Sequence, residues 1–260
     1  MTRHTDKEVE HRRYDDRAKR LLSKDNVIGL DYVDQLSASI RAPYLCFRQM
    51  IREHALNPNG TILEIGAGTG ALTGVLLQSG ANVIATDISE TSLKILHRNL
   101  SSHGSLDTKV ADMEALPFDD HSFDMVVSAG SLSYGDNNVV INEIYRVLKP
   151  SGVFICVDSL NHNLIYRFNR WLHYLRGKRT KSTLVRMPSI SLINLYEKKF
   201  GHVSAAYFGA LTWLAPLFKF IMTEEIAGNI IDWFDRIAGI KRSAFKFVML
   251  AEKKEQEVGS

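Results

Sequence analysis

The sequence predicts an α/β fold, a doubly wound and mostly parallel sheet flanked by helices. Two observations carry that expectation. Short apolar runs alternate with helical patterns from residue 61 to residue 158, as βαβ units require. The first run, Thr61–Ile65, stops at Gly66, Gly68 and Gly70 just before a helical pattern. A strand, a glycine loop and a helix in that order bring free backbone N–H groups close to a ligand.

The elements follow in order. Residues 27–55 have helical periodicity broken by Pro43, and Asn57–Gly60 is a turn. After Thr61–Ile65, residues 71–78 read as a helix ending at Gly80. Val83–Thr86 is a second strand, and Ser89 caps a helix that runs to Leu100. Weaker and stronger strands follow at 108–111 and 123–128. Asn137–Leu148 is a helix stopped by Lys149-Pro150-Ser151-Gly152, and 153–158 is the fifth strand. The rhythm then breaks into an insertion at 159–188, a helix at 189–200, a strand at 202–208, an apolar insertion at 210–240 and a last strand at 244–251. Seven strands result. The implied organisation is a helical N-terminal cap (1–60), a domain over 61–252 with the two insertions, and a disordered tail (253–260).

With 260 residues, 45% of them hydrophobic, the chain can bury a sizeable core. A net charge of +3 is too mild to imply nucleic acid. Two cysteines, Cys46 and Cys156, make no disulfide framework, which fits a cytoplasmic setting. The charged N-terminus lacks the apolar core of a signal peptide. The most apolar stretch, Phe208–Met222, holds Pro216 and Lys219 and is too short to span a bilayer. No His/Cys/Asp/Glu cluster has metal spacing, so no metal is expected.

The glycine spacing separates two ligands. A dinucleotide fingerprint is G-x-G-x-x-G, whereas Glu64-Ile65-Gly66-Ala67-Gly68-Thr69-Gly70 is acidic-x-G-x-G-x-G. Asp87, just after the second strand, can accept both hydroxyls of a ribose. Together with Val110-Ala111-Asp112-Met113-Glu114-Ala115-Leu116-Pro117-Phe118 and Leu148-Lys149-Pro150-Ser151-Gly152, these motifs resemble the class I S-adenosylmethionine-dependent methyltransferases. The closer likeness is to the ubiquinone/menaquinone-type branch, over residues 61–158.

The resemblance implies a Rossmann-like fold and S-adenosyl-L-methionine as cofactor. It puts Glu64, Gly66, Ala67, Gly68, Gly70 and Ser128 at the cofactor, Asp87 on the ribose, Ile88 and Met113 on the adenine faces and Asp112 on the adenine amine. A tyrosine segment of many relatives corresponds to Tyr14, over the methionine end.

In such folds ligands sit at the carboxyl ends of the strands. The loops after the fourth and fifth strands supply Tyr134 and His162 as candidate catalytic residues, with His173 behind them. His162 leads as a general base, because imidazole titrates near working pH. The insertion at 159–188 carries seven basic residues, four aromatics and no acid. Its Arg167, Arg170 and Trp171 are expected to bind the acceptor. A solvated face and a peripheral contact with the inner face of a membrane are the other readings of this segment. The apolar insertion, with Trp213, Phe218, Phe220, Trp233 and Phe234, reads as core or as a lid.

The leading functional expectation is O-methylation of a sugar-containing or other anionic metabolite, nucleotide- or lipid-linked glycans included, with no nucleic-acid partner. C-methylation of a prenylated quinone or lipid and a non-catalytic cofactor-binding module stand beside it. The methylated atom, the acceptor and the oligomeric state are open at the level of sequence.

Overall fold

The structure is a computed structural model. It describes residues 8–9, 11–13, 15–16, 18–19, 29–55, 59–176, 180–214, 221–238, 241 and 243–254. Helix α1 is Ala38–His54, β1 Thr61–Ile65, α2 Thr73–Leu77, β2 Asn82–Asp87, α3 Glu90–Leu100, β3 Leu106–Val110 and β4 Phe123–Ala129. Then come α4 Asn137–Val147, β5 Leu148–Ser159, α5 Leu164–Leu175, α6 Lys181–Val185, α7 Ile190–Phe200, β6 Val203–Phe208, α8 Glu224–Ala238 and β7 Lys246–Glu252.

The strands form one seven-stranded sheet in the order β3-β2-β1-β4-β5-β7-β6. The first five are parallel; β7 runs antiparallel to both β5 and β6. Alternation along the buried strands feeds two cores. Val153, Ile155 and Val157 of β5 enter one, with Phe47, Ile62 and Leu76. Phe154 and Cys156 enter the other, with Ile144, Tyr196 and Phe247. That is the period of two of a strand covered on both faces. The expected doubly wound, mostly parallel fold is present.

Three details differ from expectation. Helix α1 runs through Pro43 rather than breaking there. Pro43, Phe47 and Ile51 recur every four residues as its buried stripe. An interior proline costs about 3 kcal/mol, and each large apolar side chain buried returns roughly 1.5–3 kcal/mol, so the stripe prevails. The Lys149–Gly152 turn lies inside β5, which begins at Leu148 and pairs with Phe123 across a register shift. Lys253, expected in a disordered tail, is buried, and its Nζ donates to the carbonyls of Tyr145 and Leu148 at 2.6 Å each.

Within the apolar insertion, α8 packs against α1 and buries Ala227 and Ile231. Phe218 and Phe220 lie outside the described residues. No described helix is long and apolar enough to cross a membrane.

Candidate functional site

The strand order reverses between β1 and β4, and the crevice at such a switch point is where doubly wound sheets bind ligands. A cavity of about 280 Å³ opens there. The loops after β1, β2, β3 and β4 line it, through Gly66–Thr69, Asp87–Ile88, Ala111–Met113 and Ala129–Ser131 with Tyr134. Ala18 and, from the first insertion, Ser182, Thr183 and Arg186 complete it.

The glycine loop divides its work. A Cβ on Gly66 would stand 2.4 Å from Ser131 Cβ, so this glycine lets the loop after β4 close against the loop after β1. A Cβ on Gly68, where φ is +57°, would meet nothing within 4 Å and would project into the cavity. The backbone is bare where a ligand approaches. Gly70 does neither; it faces Leu96 and Leu100 of α3 and serves packing.

Asp87 ends β2 with its carboxylate fixed from both sides. Gly68 N donates to Oδ2 at 2.9 Å and Ser89 N to Oδ1 at 2.9 Å. Burial raises its pKa from the ordinary carboxylate value, against these N–H groups, which lower it. Each oxygen keeps a lone pair for a diol. Asp112 is similarly held, accepting from Glu114 N at 2.9 Å, and Met113 beside it lines the wall. Arg146 stabilises this loop from outside the cavity, donating to the carbonyls of Leu116 and Phe118 while paired with Glu143 and Asp120.

Glu64 and Ser128, expected at the cofactor, do not line the cavity. Glu64 is buried and accepts from Thr73 Oγ1 at 2.6 Å. Burial raises its pKa to about 7, with the Asp87 charge adding to the rise and Thr73 opposing it. Ser128 is buried and meets Ser131 Oγ at 2.7 Å; Ser131, which also donates to Ile65 O, is the serine that reaches the wall. Tyr14 lies outside the described residues. Its neighbours reach the site: Ala18 lines the cavity and Ser89 Oγ donates to Asp15.

On the acceptor side the structure corrects most of the expectation. Tyr134 lines the cavity, but His162 does not. The His162 Nε2 lone pair accepts the backbone N–H of Ile190 at 2.9 Å and so anchors the start of α7. A nitrogen committed to that bond cannot take a proton from an acceptor. His173 sits half-buried on α5, off the cavity wall. Arg170 points inward: it is buried, donating to Leu160 O at 2.9 Å and to Asn161 Oδ1 at 3.1 Å. Burial raises the pKa of the nearby Asp158, and Lys246 and, less strongly, Arg170 oppose the rise. Arg167 and Trp171 are exposed, with Trp171 stacked on Phe168.

Sequence reasoning passed over Arg186, the one cation among the described residues lining the cavity. Among the described residues no carboxylate or carbonyl holds its guanidinium. Its only signal was membership in the acid-free basic segment. No described residue of 210–240 lines the cavity. Among the described residues no group of three His, Cys, Asp or Glu could hold a metal ion.

Comparison with known proteins shows what this arrangement resembles. Residues 63–156, which carry the glycine loop, Asp87 and Asp112, match the methyltransferase domain family. Over those residues the chain is similar to a methyltransferase domain. A demethylmenaquinone methyltransferase of Clavibacter sepedonicus is 43% identical over 104 residues, 38% of this chain and 41% of that protein. A ubiquinone/menaquinone biosynthesis C-methyltransferase of Desulfotalea psychrophila is 32% identical over 128 residues, 47% of this chain and 52% of that protein. The chain thus spans about half or less of these curated relatives.

Among solved structures, the geranyl diphosphate C-methyltransferase of Streptomyces coelicolor A3(2) has a TM-score of 0.56 at 16% identity, covering 81% of this chain and 79% of that one. A Haemonchus contortus phosphoethanolamine N-methyltransferase has a TM-score of 0.57 at 17% identity, covering 82% and 53%. These likenesses concern the fold. S-adenosylmethionine is the cofactor of the methyltransferase domain, and the residues present fit it: a bare glycine cradle, a preset carboxylate at the end of β2 and apolar flanks at Ile88 and Met113.

Proposed function

We propose that the chain transfers a methyl group from S-adenosylmethionine to a small acceptor bearing a negative charge. O-methylation of a sugar-containing or other anionic metabolite is the leading case. The observation that carries this reading is Arg186, a cation without a described partner, on the wall of the cavity that also holds Asp87 and Tyr134. An arginine fork matches carboxylate and phosphate oxygens in pairs.

When bound, S-adenosylmethionine supplies a methyl group on a positively charged sulfur, already activated for displacement. The chain's own residues bind and align. Asp87 takes the ribose hydroxyls, Asp112 the adenine amine, and Ile88 and Met113 flank the ring. Arg186 fixes the acceptor's anion, and Tyr134, on the same cavity wall, orients the attacking atom. Holding the two partners in line supplies much of the acceleration. The acceptor's nucleophilic atom would gain the methyl carbon as the sulfonium leaves as a neutral thioether, and the nucleophile's proton would pass to solvent.

C-methylation of a prenylated quinone or lipid is the second reading. The curated relatives' names favour it, and so does the absence of any histidine from the described wall, since an electron-rich ring carbon attacks without a base removing its proton first. An anionic acceptor also accords with the geranyl diphosphate and phosphomonomethylethanolamine bound in the two structural neighbours.

The test is a mass-spectrometric screen of phosphorylated, carboxylated and quinone acceptors with the purified chain. Equimolar S-adenosylhomocysteine and a product heavier by one methylene are expected with an anionic acceptor. Turnover with neutral acceptors alone contradicts the charge requirement, and cofactor binding without turnover of any acceptor leaves a binding module.

A further inference from the structure

Helix α5 is turned inside out. Its polar side faces the protein: Arg170 is buried against Leu160 and Asn161, and the Tyr166 hydroxyl reaches Gly209 O. Asn163, its N-cap, bonds Ser243. Its apolar side faces out. Leu164, Ile165, Phe168, Trp171 and Leu175 are 76, 49, 59, 45 and 59% exposed. At 3.6 residues per turn these positions form one stripe, and Arg167 and Arg176, both exposed, flank it on opposite sides. A soluble helix buries such a stripe; large contiguous apolar patches mark interaction surfaces.

We propose that the outward face of α5 docks on an anionic lipid surface. Charge selects that occupant. Residues 159–188 contain seven Lys and Arg and no Asp or Glu. An apolar face with an interfacial tryptophan and arginine edges suits an anionic headgroup layer. A second copy fits poorly, because a twofold contact is self-complementary. It would set Arg167 against Arg176 with no carboxylate from the segment between them. The other exposed apolar stripe, Ile226, Ile230 and Trp233 of α8, shares its helix with exposed Glu224 and Glu225 and lacks this complement. Helix α6 follows α5 and carries Ser182 and Thr183 into the cavity wall. The inference stands apart from the reaction proposed above.

Co-sedimentation of the full chain with vesicles tests it. Vesicles of phosphatidylcholine with phosphatidylglycerol should bind the chain at least about tenfold more strongly than phosphatidylcholine alone. Leu164→Gln/Phe168→Gln/Leu175→Gln should abolish the binding, and Arg167→Gln/Arg176→Gln should weaken it about tenfold. Both variants change exposed side chains, so their unfolding midpoints should match the unsubstituted chain. No preference for anionic vesicles, or undiminished binding by either variant, overturns the proposal. A concentration-dependent dimer that the triple substitution dissolves overturns it in favour of a second copy.

Discussion

Thr73 Oγ1 donates to Glu64 Oε2 at 2.6 Å beneath the glycine loop, inside a site where burial raises the Glu64 pKa from 4.5 to about 7. A carboxyl whose folded pKa is raised holds its proton more tightly in the folded state. Its effect on stability is therefore nil below about pH 4.5, grows unfavourable as pH rises, and levels off above about pH 7. Full ionisation costs on the order of 3 kcal/mol. Gln at this position still accepts from Thr73 and never ionises. Glu64→Gln should therefore raise the melting temperature at pH 8 and leave it unchanged at pH 4. Melting curves across that range check the window, and an equal gain at both pH values would sink the assignment.

The two working glycines should separate in their effects. Gly66→Ala pushes Ser131 away from 2.4 Å, an overpacking that costs about 1–3 kcal/mol. Gly68→Ala meets no protein atom but carries a side chain at φ +57°, a strain of about 1 kcal/mol. Denaturant titration should show the larger stability loss at Gly66. Calorimetry should show the larger loss of S-adenosylhomocysteine affinity per folded molecule at Gly68. The reverse order would mean that the cavity holds its ligand elsewhere.

Asp87→Ala removes the acceptor presented to the ribose. Losing hydrogen bonds to a charged group costs about 1.5–3 kcal/mol, roughly ten- to a hundredfold in S-adenosylhomocysteine affinity. A folded Asp87→Ala chain with native affinity would show that the diol lies against another group.

Arg186 and Arg170 belong to the same basic segment and should behave as opposites. Arg186→Gln should raise the acceptor KM about ten- to a hundredfold, with S-adenosylhomocysteine affinity held within about twofold. If the cofactor affinity falls instead and KM does not, Arg186 holds the methionine carboxylate. Arg170→Gln strips Leu160 O and Asn161 of their donor, so stability should drop by about 1–3 kcal/mol and turnover per folded molecule should stay level.

The contrast between these two arginines shows where sequence reading ran out. Periodicity gives the phase of a helix but not which face turns inward. Charged-out and apolar-in is the usual rule, and α5 inverts it, with Leu160 O and Asn161 Oδ1 accepting from the buried Nη1 of Arg170. Helix α6 is too short, at five residues, to show a phase at all, so Arg186 was indistinguishable from its neighbours. His162 looked free because its partner, Ile190 N, is 28 residues away. The cofactor half was legible for the opposite reason. Strand, glycine loop and terminal carboxylate are local in sequence, and β1 and β2 bring Gly68 and Asp87 together through ordinary parallel pairing. What spacing could not rank was depth: Glu64, Gly70 and Ser128 support the cavity from beneath while Gly68, Asp87 and Met113 line it.

The central claim is that the cradle of Gly66–Gly68 and Asp87 takes an adenosyl amino acid. Isothermal titration of the purified chain with S-adenosylhomocysteine and, separately, with NAD tests it most directly. The predicted result is one-to-one binding of S-adenosylhomocysteine in the micromolar range, about −8 kcal/mol, and no heat with NAD. Binding of NAD with none of S-adenosylhomocysteine would contradict the account.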